Sequence, residues 1–564
     1  MNRFIFLSIL FTLSLSPSIV SNAKTQSPPL SPKLNSSLST NLNAKTNSSS
    51  SAKSISLSNN PLIRIGIIQH LGRNYGESLQ IKIQDPKDKI QITFPEKPGS
   101  INMNQTQTEE LDLLNIKVVS FPIPFDEIVE TRKIKVGSFT TYEDAYYAEQ
   151  VLKDYFPEQN WQVYYPRPWE VWTLSEKPHE LMRALTRKGF HASWIKEKPL
   201  SKRTLSWQSY SSIPGADPKS EYQFNRNKVI LQSKLGKSLI IDSKTYPGII
   251  EITPDSFGTF SVINELPIED YLRGVVPLEI GTDSPRAALE TQAILARTYA
   301  LANLNRYLPE GYNLCSTQKC QVYGGLSVTN KRIDNAIDAT TGIVLKDKTG
   351  SVVQALYSST DGGYTANFDD IWFGFNNSKS LMGVSTCSKL PKEFDLSIEE
   401  QVYEFLTSED AKKWNCFDVV SPHFRWTKEI DSRELARLIN EAKNNWKFNW
   451  VDLDQVTALN ISKRSKTGRI IELIVQGSRG ESLIIPKDKI RATLGLKSTF
   501  FVVDKLETIS DKTNNTEIKF SFRGSGYGHG VGLSQFGARN LANQGKNAKE
   551  IIKIYFPNYE LAKI

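Results

Sequence analysis

Asn264-Glu265-Leu266-Pro267-Ile268-Glu269-Asp270-Tyr271-Leu272-Arg273-Gly274-Val275-Val276-Pro277-Leu278-Glu279 leads, through Ser284-Pro285, into Gln292-Ala293-Ile294-Leu295-Ala296-Arg297-Thr298-Tyr299-Ala300. Ser284 is expected as the N-cap of a helix, with Pro285 at the first helical position, where a missing N–H costs nothing. Leu289, Ala293, Ala296, Ala300 and Leu304 then keep helical spacing on one face. That stripe is mostly alanine, so a neighbouring backbone can approach closely. Short alternating runs surround the helix and read as half-buried strands, at 62–68, 79–83, 90–94, 227–265, 456–461, 470–475 and 499–503. A further helix is expected from Ser432 through Ala442.

The chain has 564 residues, too many for one core, with 39% hydrophobic and 23% charged residues. Its net charge of +9 is unevenly placed: Lys24, Lys33, Lys45 and Lys53 stand without a single acid in residues 24–60. A nucleic-acid footprint clusters on a folded face instead, so nucleic acid is not expected as a partner. Met1-Asn2-Arg3, the apolar run Phe4 to Ser16 and the small residues Ser21-Asn22-Ala23 form the pattern of a secretory signal. The run is too short to span a bilayer, so no membrane span is expected after its removal. Residues 1–23 are therefore expected as a signal peptide and 24–60 as a disordered Ser/Asn/Lys-rich tether, which buries too little surface to offset ordering entropy. Export to a periplasm or cell wall places the four cysteines in an oxidising compartment. Cys315 and Cys320 enclose four residues, and Cys387 and Cys416 remain as a second pair, although four cysteines allow three connectivities.

Three more blocks accompany the opening one: Cys320-Gln321-Val322-Tyr323-Gly324-Gly325, Tyr357-Ser358-Ser359-Thr360-Asp361-Gly362-Gly363-Tyr364-Thr365-Ala366 and Gly526-Tyr527-Gly528-His529-Gly530-Val531-Gly532-Leu533-Ser534-Gln535-Phe536-Gly537. In this order, over about 230–564, the four blocks resemble the SpoIID/LytB family of stage II sporulation protein D and the amidase enhancers. The resemblance implies an exported peptidoglycan-remodelling protein, a lytic transglycosylase that prefers glycan strands stripped of stem peptides. The family's catalytic glutamate falls on Glu279. One carboxyl group suffices for such chemistry, because the sugar's own 6-hydroxyl closes an anhydro ring and no water attacks. The acid needs a raised pKa, and Val275, Val276, Pro277, Leu278 and Ile280 are available as apolar neighbours. The competing reading has Glu279 merely facing the N-terminus of the Ser284 helix.

Tyr271, Arg297, Tyr299, Gln321, Tyr323, Ser358, Thr360, Gly362, Gly363, Tyr527, His529 and Gln535 are the expected substrate-binding residues. For Tyr271, Arg297 and Tyr299 the alternative is core packing and a structural ion pair. Gly524, Gly526, Gly528, Gly530 and Gly532 alternate with side-chain-bearing residues. In an extended strand that alternation leaves one face bare for a sugar ring or another strand. The block has no Gly-x-Gly-x-x-Gly frame, and Ser358 sits in no Gly-x-Ser-x-Gly elbow. Some relatives bind zinc here through a histidine just before the Cys-Gln-Val-Tyr run. This chain has Lys319 at that position, so a disulfide is expected and neither a metal nor a cofactor. The alternative function is a non-catalytic, glycan-binding enhancer of a cell-wall amidase, and the plainest is a structural wall protein. Peptidoglycan glycan strands are the expected partner, with an amidase as a second.

The fold class expected is α+β, mostly β-strands around a helical active-site segment, with an inserted small β-α-β-β-α-β domain. The domains follow as a β segment at 61–129, the insert at 130–197 and the core at 198–564. In the insert, strands at 134–139, 162–165, 170–173 and 192–195 alternate with helices at 142–154 and from Pro178 to Gly189. Its Val136-Gly137-Ser138-Phe139 opening and Ala-rich helix resemble SPOR domains, which bind denuded glycan, and Tyr164, Trp169 and Trp172 are candidates to stack on sugars.

Overall fold

In the computed structural model, the Ile268–Ile280 helix grows directly out of the Phe260–Pro267 strand, and the Arg286–Ala302 helix packs against it. The structure describes residues 60–564 apart from 73–76, 84, 86, 95–106, 112, 122–132, 140–141, 165–168, 195–201, 211–218, 225–227, 256–258, 373–380, 409–411, 447 and 510–515. The expected signal peptide and all but the last residue of the tether lie outside the described residues. Among the described residues no helix is long and apolar enough to cross a membrane.

The architecture is α+β. A seven-stranded sheet runs in the order Leu314–Cys315, Leu62–Leu71, Phe260–Pro267, Ile249–Pro254, Val229–Ser233, Ile90–Phe94 and Gln107–Leu111. Leu62 pairs with Pro267 and Ile65 with Asn264, so the N-terminal segment braces the strand that feeds the Glu279 helix. Alternation explains the pairing: Ile63 and Ile65 are buried, as are Leu266 and Asn264 opposite them. A six-stranded sheet contains the antiparallel pair Leu113–Phe121 and Lys202–Tyr210, and the small inserted unit lies between those two strands in sequence. That unit is a four-stranded antiparallel sheet ordered Gln162–Tyr164, Trp169–Leu174, Lys133–Phe139, Ala192–Trp194. With helices Tyr142–Tyr155 and Pro178–Arg187 it gives β-α-β-β-α-β in ferredoxin-like order. Its core is its own, from Ile134, Leu152, Trp161, Val171 and Leu185. Trp172 is buried there, its indole N–H donating to Glu170 at 2.8 Å; it is not free to stack on a sugar.

The Arg286–Ala302 helix is buried on two sides. Leu289, Ala293, Ala296 and Ala300 join the sheet core, while Ile294 and Leu295 pack with Val531, Leu533, Ile551 and Tyr555 of the C-terminal segment. Its start differs from expectation. Pro285, at φ −55° and ψ 149°, is the N-cap, and the Ser284 hydroxyl donates 2.6 Å to the Ile280 carbonyl. Ser284 therefore closes the preceding helix rather than opening its own.

Arg297 is fully buried. Its Nε and Nη2 donate to both oxygens of Glu269 at 2.8 and 2.7 Å, and Nη1 donates to the Ile343 carbonyl at 2.9 Å. The Gly342 N–H adds a donor to Glu269 at 3.2 Å. This bidentate pair ties the two helices to the Ile343–Lys346 strand.

The glycine block is not a strand. The Thr516–Gly524 strand ends at its first glycine, and Gly526, Gly528, Gly530 and Gly532 all have positive φ, from 75° to 113°. A Cβ on Gly532 would lie 2.1 Å from the Leu356 carbonyl, and one on Gly528 would lie 2.9 Å from Ser358 Cβ. The loop is thus pressed by its bare positions onto residues 356–361, with bridges Thr360–Tyr527, Tyr357–Leu533 and Ala366–Val531.

Truncating one partner of a buried ion pair leaves the other charge without compensation. Arg297→Met should therefore destabilise the protein by about 3–5 kcal/mol. A urea midpoint within error of the parent's would contradict the role given to this pair.

Candidate active site

Glu279 occupies the last turn of the Ile268–Ile280 helix, two residues after Pro277. Proline has no N–H to give, but its own carbonyl accepts the Gly281 N–H at 3.2 Å, with Gly281 at φ 87°. Gly274 lets this helix sit tightly on the next motif: a Cβ there would lie 2.5 Å from the Tyr323 ring. Val275, Val276, Pro277 and Ile280 are buried beneath the helix, whereas Leu278 is exposed and lies over Gly324.

The Glu279 carboxyl is half-buried and accepts the Val322 N–H at 2.9 Å. Tyr357 and Gln535 add side-chain hydrogen bonds. Burial pushes its pKa above the ordinary glutamate value, and those three donors hold the rise in check. Tyr357 is itself oriented. The Gln321 side-chain amide donates to its hydroxyl at 2.9 Å, and the Gln321 carbonyl oxygen accepts the Tyr271 hydroxyl at 3.1 Å. The polarity of this chain leaves the Tyr357 hydrogen to point at Glu279. Burial raises the pKa of Tyr271, Tyr299 and Tyr357, so all three phenols stay protonated donors. On the other flank, Gln535 Nε2 lies 3.5 Å from Oε1 of the buried Gln292.

The structure thus brings Tyr271, Gln321 and Gln535 together around Glu279, with Tyr299 close enough to feel its charge. Tyr323 stands one layer back, its ring 5.1 Å from Tyr271 and its hydroxyl on Asn264 at 2.8 Å. Arg297 is committed to Glu269, as described above. Tyr357 and Gln292 were missed by the sequence reading, although both lie in quoted blocks. Neighbouring residues of a strand point to opposite faces, so Tyr357 meets Glu279 and Ser358 points away from it.

The other residues serve a second centre. Thr360 Oγ1 and the Gly362 N–H donate to Asp418, while the Gly363 N–H and Thr386 hydroxyl donate to Asp361 at 2.7 and 2.8 Å. Both aspartates are fully buried, and each keeps one carboxyl oxygen without a hydrogen-bond partner among the described residues. Burial first, then its neighbour's charge, pushes the Asp361 carboxyl well above the ordinary aspartate value. Thr360, Gly362 and Gly363 hold this buried pair. His529 accepts the Val531 N–H on Nδ1 at 3.0 Å and lies against Trp372, with ring centres 5.2 Å apart. Burial depresses its pKa to about 3, so it stays neutral. Tyr527 is 44% exposed.

The structure bonds Cys315 to Cys320 and Cys387 to Cys416. Among the described residues no group of three or more His, Cys, Asp or Glu is placed to hold a metal ion.

Residues 256–346, which carry the Glu279 helix and the Arg297 helix, match the family model described as stage II sporulation protein, SpoIID. The chain is 29% identical over 378 residues to the amidase enhancer of Bacillus subtilis (strain 168). It is 26% identical over 316 residues to stage II sporulation protein D of Bacillus amyloliquefaciens. The chain is thus similar to the SpoIID/LytB family through this segment. The enhancer match covers 59% of this chain but only 49% of the enhancer, so the chain spans about half of that relative's length. The sporulation-protein match covers 53% of this chain and 76% of that protein. Beyond the SpoIID segment, residues 366–532 match a domain of unknown function, DUF8618. Asp418, Tyr527 and His529 therefore lie in the second matched segment, and Gln535 lies beyond both matches.

Replacing Tyr357 by Phe removes one donor to the Glu279 carboxylate. Because that donor favours the charged form, the Glu279 pKa should rise further and the proton persist to higher pH. Carboxyl 13C titration of Glu279 reads this directly, and a lower midpoint in Tyr357→Phe would refute the hydrogen-bond chain.

Proposed function

We propose that this protein is an exported, peptidoglycan-remodelling lytic transglycosylase in which Glu279 is general acid and then general base. The observation that carries the proposal is the half-buried Glu279 carboxyl with its raised pKa, held by Val322, Tyr357 and Gln535. Raising the pKa keeps the acid protonated toward neutral pH, where it delivers its proton to the glycosidic oxygen as the C1–O bond breaks. The same carboxylate then takes the proton of the sugar's 6-hydroxyl as that oxygen attacks C1, closing a 1,6-anhydro ring. No water is consumed. The Tyr271–Gln321–Tyr357 chain orients the carboxyl between the two transfers. Glycan strands lacking stem peptides are the proposed substrate.

The relative named amidase enhancer supports a second role, in which the protein binds glycan and stimulates a cell-wall amidase. One variant separates the two. Glu279→Gln keeps size and polarity, and should lower release of anhydro-sugar ends at least ~10²–10⁴-fold, the loss typical of a removed general acid. Near-parental release would overturn the catalytic proposal. Stimulation of a purified amidase by Glu279→Gln protein, with cleavage abolished, would show that the enhancer role stands apart from Glu279.

The inserted unit is proposed as a SPOR-like glycan-binding module, supported by its β-α-β-β-α-β order and separate core. Tethered binding raises the local concentration of glycan at Glu279. A protein lacking residues 133–194 should co-sediment less with amidase-treated sacculi than the full chain does. Equal retention would remove this module from the proposal.

A further inference from the structure

The backbone donor to Glu279, the Val322 N–H, is delivered by a loop that a disulfide closes. The loop leaves the seven-stranded sheet at Cys315, which pairs with Gly66 of the Leu62–Leu71 strand. The Ser316 N–H donates to the Gly66 carbonyl at 3.3 Å, and the Asn313 N–H to the Arg64 carbonyl at 2.8 Å. Cys315 is thereby fixed on the sheet, and its side chain is buried with Ile263, Tyr307 and Tyr312. Thr317, Gln318 and Lys319 then turn through solvent, with the Cys320 N–H donating to the Thr317 carbonyl at 2.9 Å. The bridge brings Cys320 back to Cys315, whose N–H donates to Cys320 Sγ at 3.0 Å. Gln321 and Val322 follow at once, and the Tyr323 N–H closes the turn on the Ser316 carbonyl at 3.0 Å.

Both residues after the bridge serve the carboxyl. Val322 donates to its Oε1 at 2.9 Å, and the Gln321 amide donates to the Tyr357 hydroxyl at 2.9 Å. Covalently, Val322 lies two residues from a sulfur that is tied to the sheet. Without the S–S bond the path from Cys315 to Val322 runs along the chain through the exposed tip at Thr317, Gln318 and Lys319. Opening the ring returns conformational freedom to that span, and placing Val322 on Glu279 then has to overcome it. Cys315 is buried, but Cys320 is half-buried beside the exposed tip, so an external thiol can approach it from that side.

We propose that Cys315 and Cys320 are positioning residues whose disulfide holds Val322 on Glu279, so that the site is complete in an oxidised chain and incomplete in a reduced one. The proposal rests on the reading of Glu279 as the acid and deepens it by naming what prepares that acid. The switching step is thiol–disulfide exchange. One thiolate of an external dithiol attacks Cys320 Sγ, and Cys315 leaves as a thiolate that takes up a proton. The second thiol then attacks the mixed disulfide and releases Cys320. Two electrons and two protons thus pass to the protein, and the dithiol closes to its cyclic disulfide. In a reducing compartment the chain carries Glu279 without its fixed donor, and an oxidising one completes the site.

The test follows the Val322 N–H in the full chain, labelled with 15N at valine and glycine. An N–H bonded to a carboxylate shifts its resonance as that carboxyl titrates, and Glu279→Gln assigns the shift to Glu279 by abolishing it. In oxidised protein Val322 should report this titration. After treatment with dithiothreitol the report should be lost, and the amide should exchange with solvent about tenfold faster, as a broken charge-assisted hydrogen bond implies. Reoxidation should restore both. The Gly342 N–H, which donates to Glu269, is the internal reference and should keep its protection. Protein carrying Cys315→Ser and Cys320→Ser should match the reduced parent and show no further change at Val322 with dithiothreitol, which sets aside the Cys387–Cys416 bridge. A Val322 amide indifferent to reduction would overturn the proposal, and so would equal loss of protection at Gly342, which marks general unfolding. Activity is read separately: reduction should lower kcat for release of anhydro ends about tenfold and leave KM unchanged. An unchanged kcat would overturn the positioning role. If Val322 responds and neither form releases anhydro ends, the transglycosylase reading fails and the role of the bridge in placing the donor stands.

Discussion

The buried pair of Arg297 and Glu269 is the constraint on which the rest of the site depends. Glu269 lies in the first turn of the Ile268–Ile280 helix and Glu279 in its last, ten residues and so about 15 Å apart. Fixing one end against the Arg286–Ala302 helix and the Ile343 carbonyl fixes the direction in which the other end projects. A buried ion pair contributes little net stability, because desolvation offsets attraction. What it does contribute here is a single arrangement. Every polar atom around Glu269 has one partner geometry, and a helix rotated by one residue would leave a charge uncompensated. Alanines at 293, 296 and 300 allow the approach, and Gly274 does the same on the Tyr323 side.

From that fixed helix the carboxyl is completed by contributions distant in sequence. Val322 supplies a backbone N–H, Tyr357 a phenol and Gln535 an amide. Their placement relies on the crossing of residues 356–361 with the glycine-rich loop, and on the buried Asp361 and Asp418 that hold its backbone and hydroxyl donors beneath it. Burial and mutual repulsion both push the Asp361 carboxyl toward its neutral form. Arg469, also buried, donates to the Asp361 and Tyr364 carbonyls at 2.8 and 3.0 Å and occupies the space that a side chain at Gly530 would need.

Much of the fold was legible because its signals are local. The strands at 62–71, 78–83 and 90–94, the helix at 286–302 and the six elements of the inserted unit all carry their periodicity within a few residues. The glycine block shows where such reasoning stops. Alternating glycines mean a strand with one bare face, or a loop with positive φ at every second residue, and both have period two. Only the opposing chain at 356–361 decides between them, and that contact spans about 170 residues. The Thr516–Gly524 strand was overlooked even though Ile518, Phe520 and Phe522 alternate with Glu517, Lys519 and Ser521. Glu279 was legible from its motif; its donors were not, since a hydrogen bond across the fold leaves no spacing to read. Ser284 was misassigned for a related reason: its hydroxyl had two helix ends within reach, and the carbonyl of Ile280 won.

The extent of the matched SpoIID segment bears on what that segment does by itself. It ends at residue 346, so it includes Glu279, Arg297, Gln321 and Val322 but not Tyr357 or Gln535. Two of the three donors that restrain the Glu279 pKa therefore come from outside it. Gln321 would also lose the phenol to which it donates, and Gln292 the side chain that faces it. Without these groups the carboxyl would keep a backbone N–H but gain solvent, and solvent removes the desolvation that raises its pKa. The acid strength of Glu279 is accordingly a property of the whole described chain: the helix provides the carboxyl, and the segments after residue 346 set when it holds its proton.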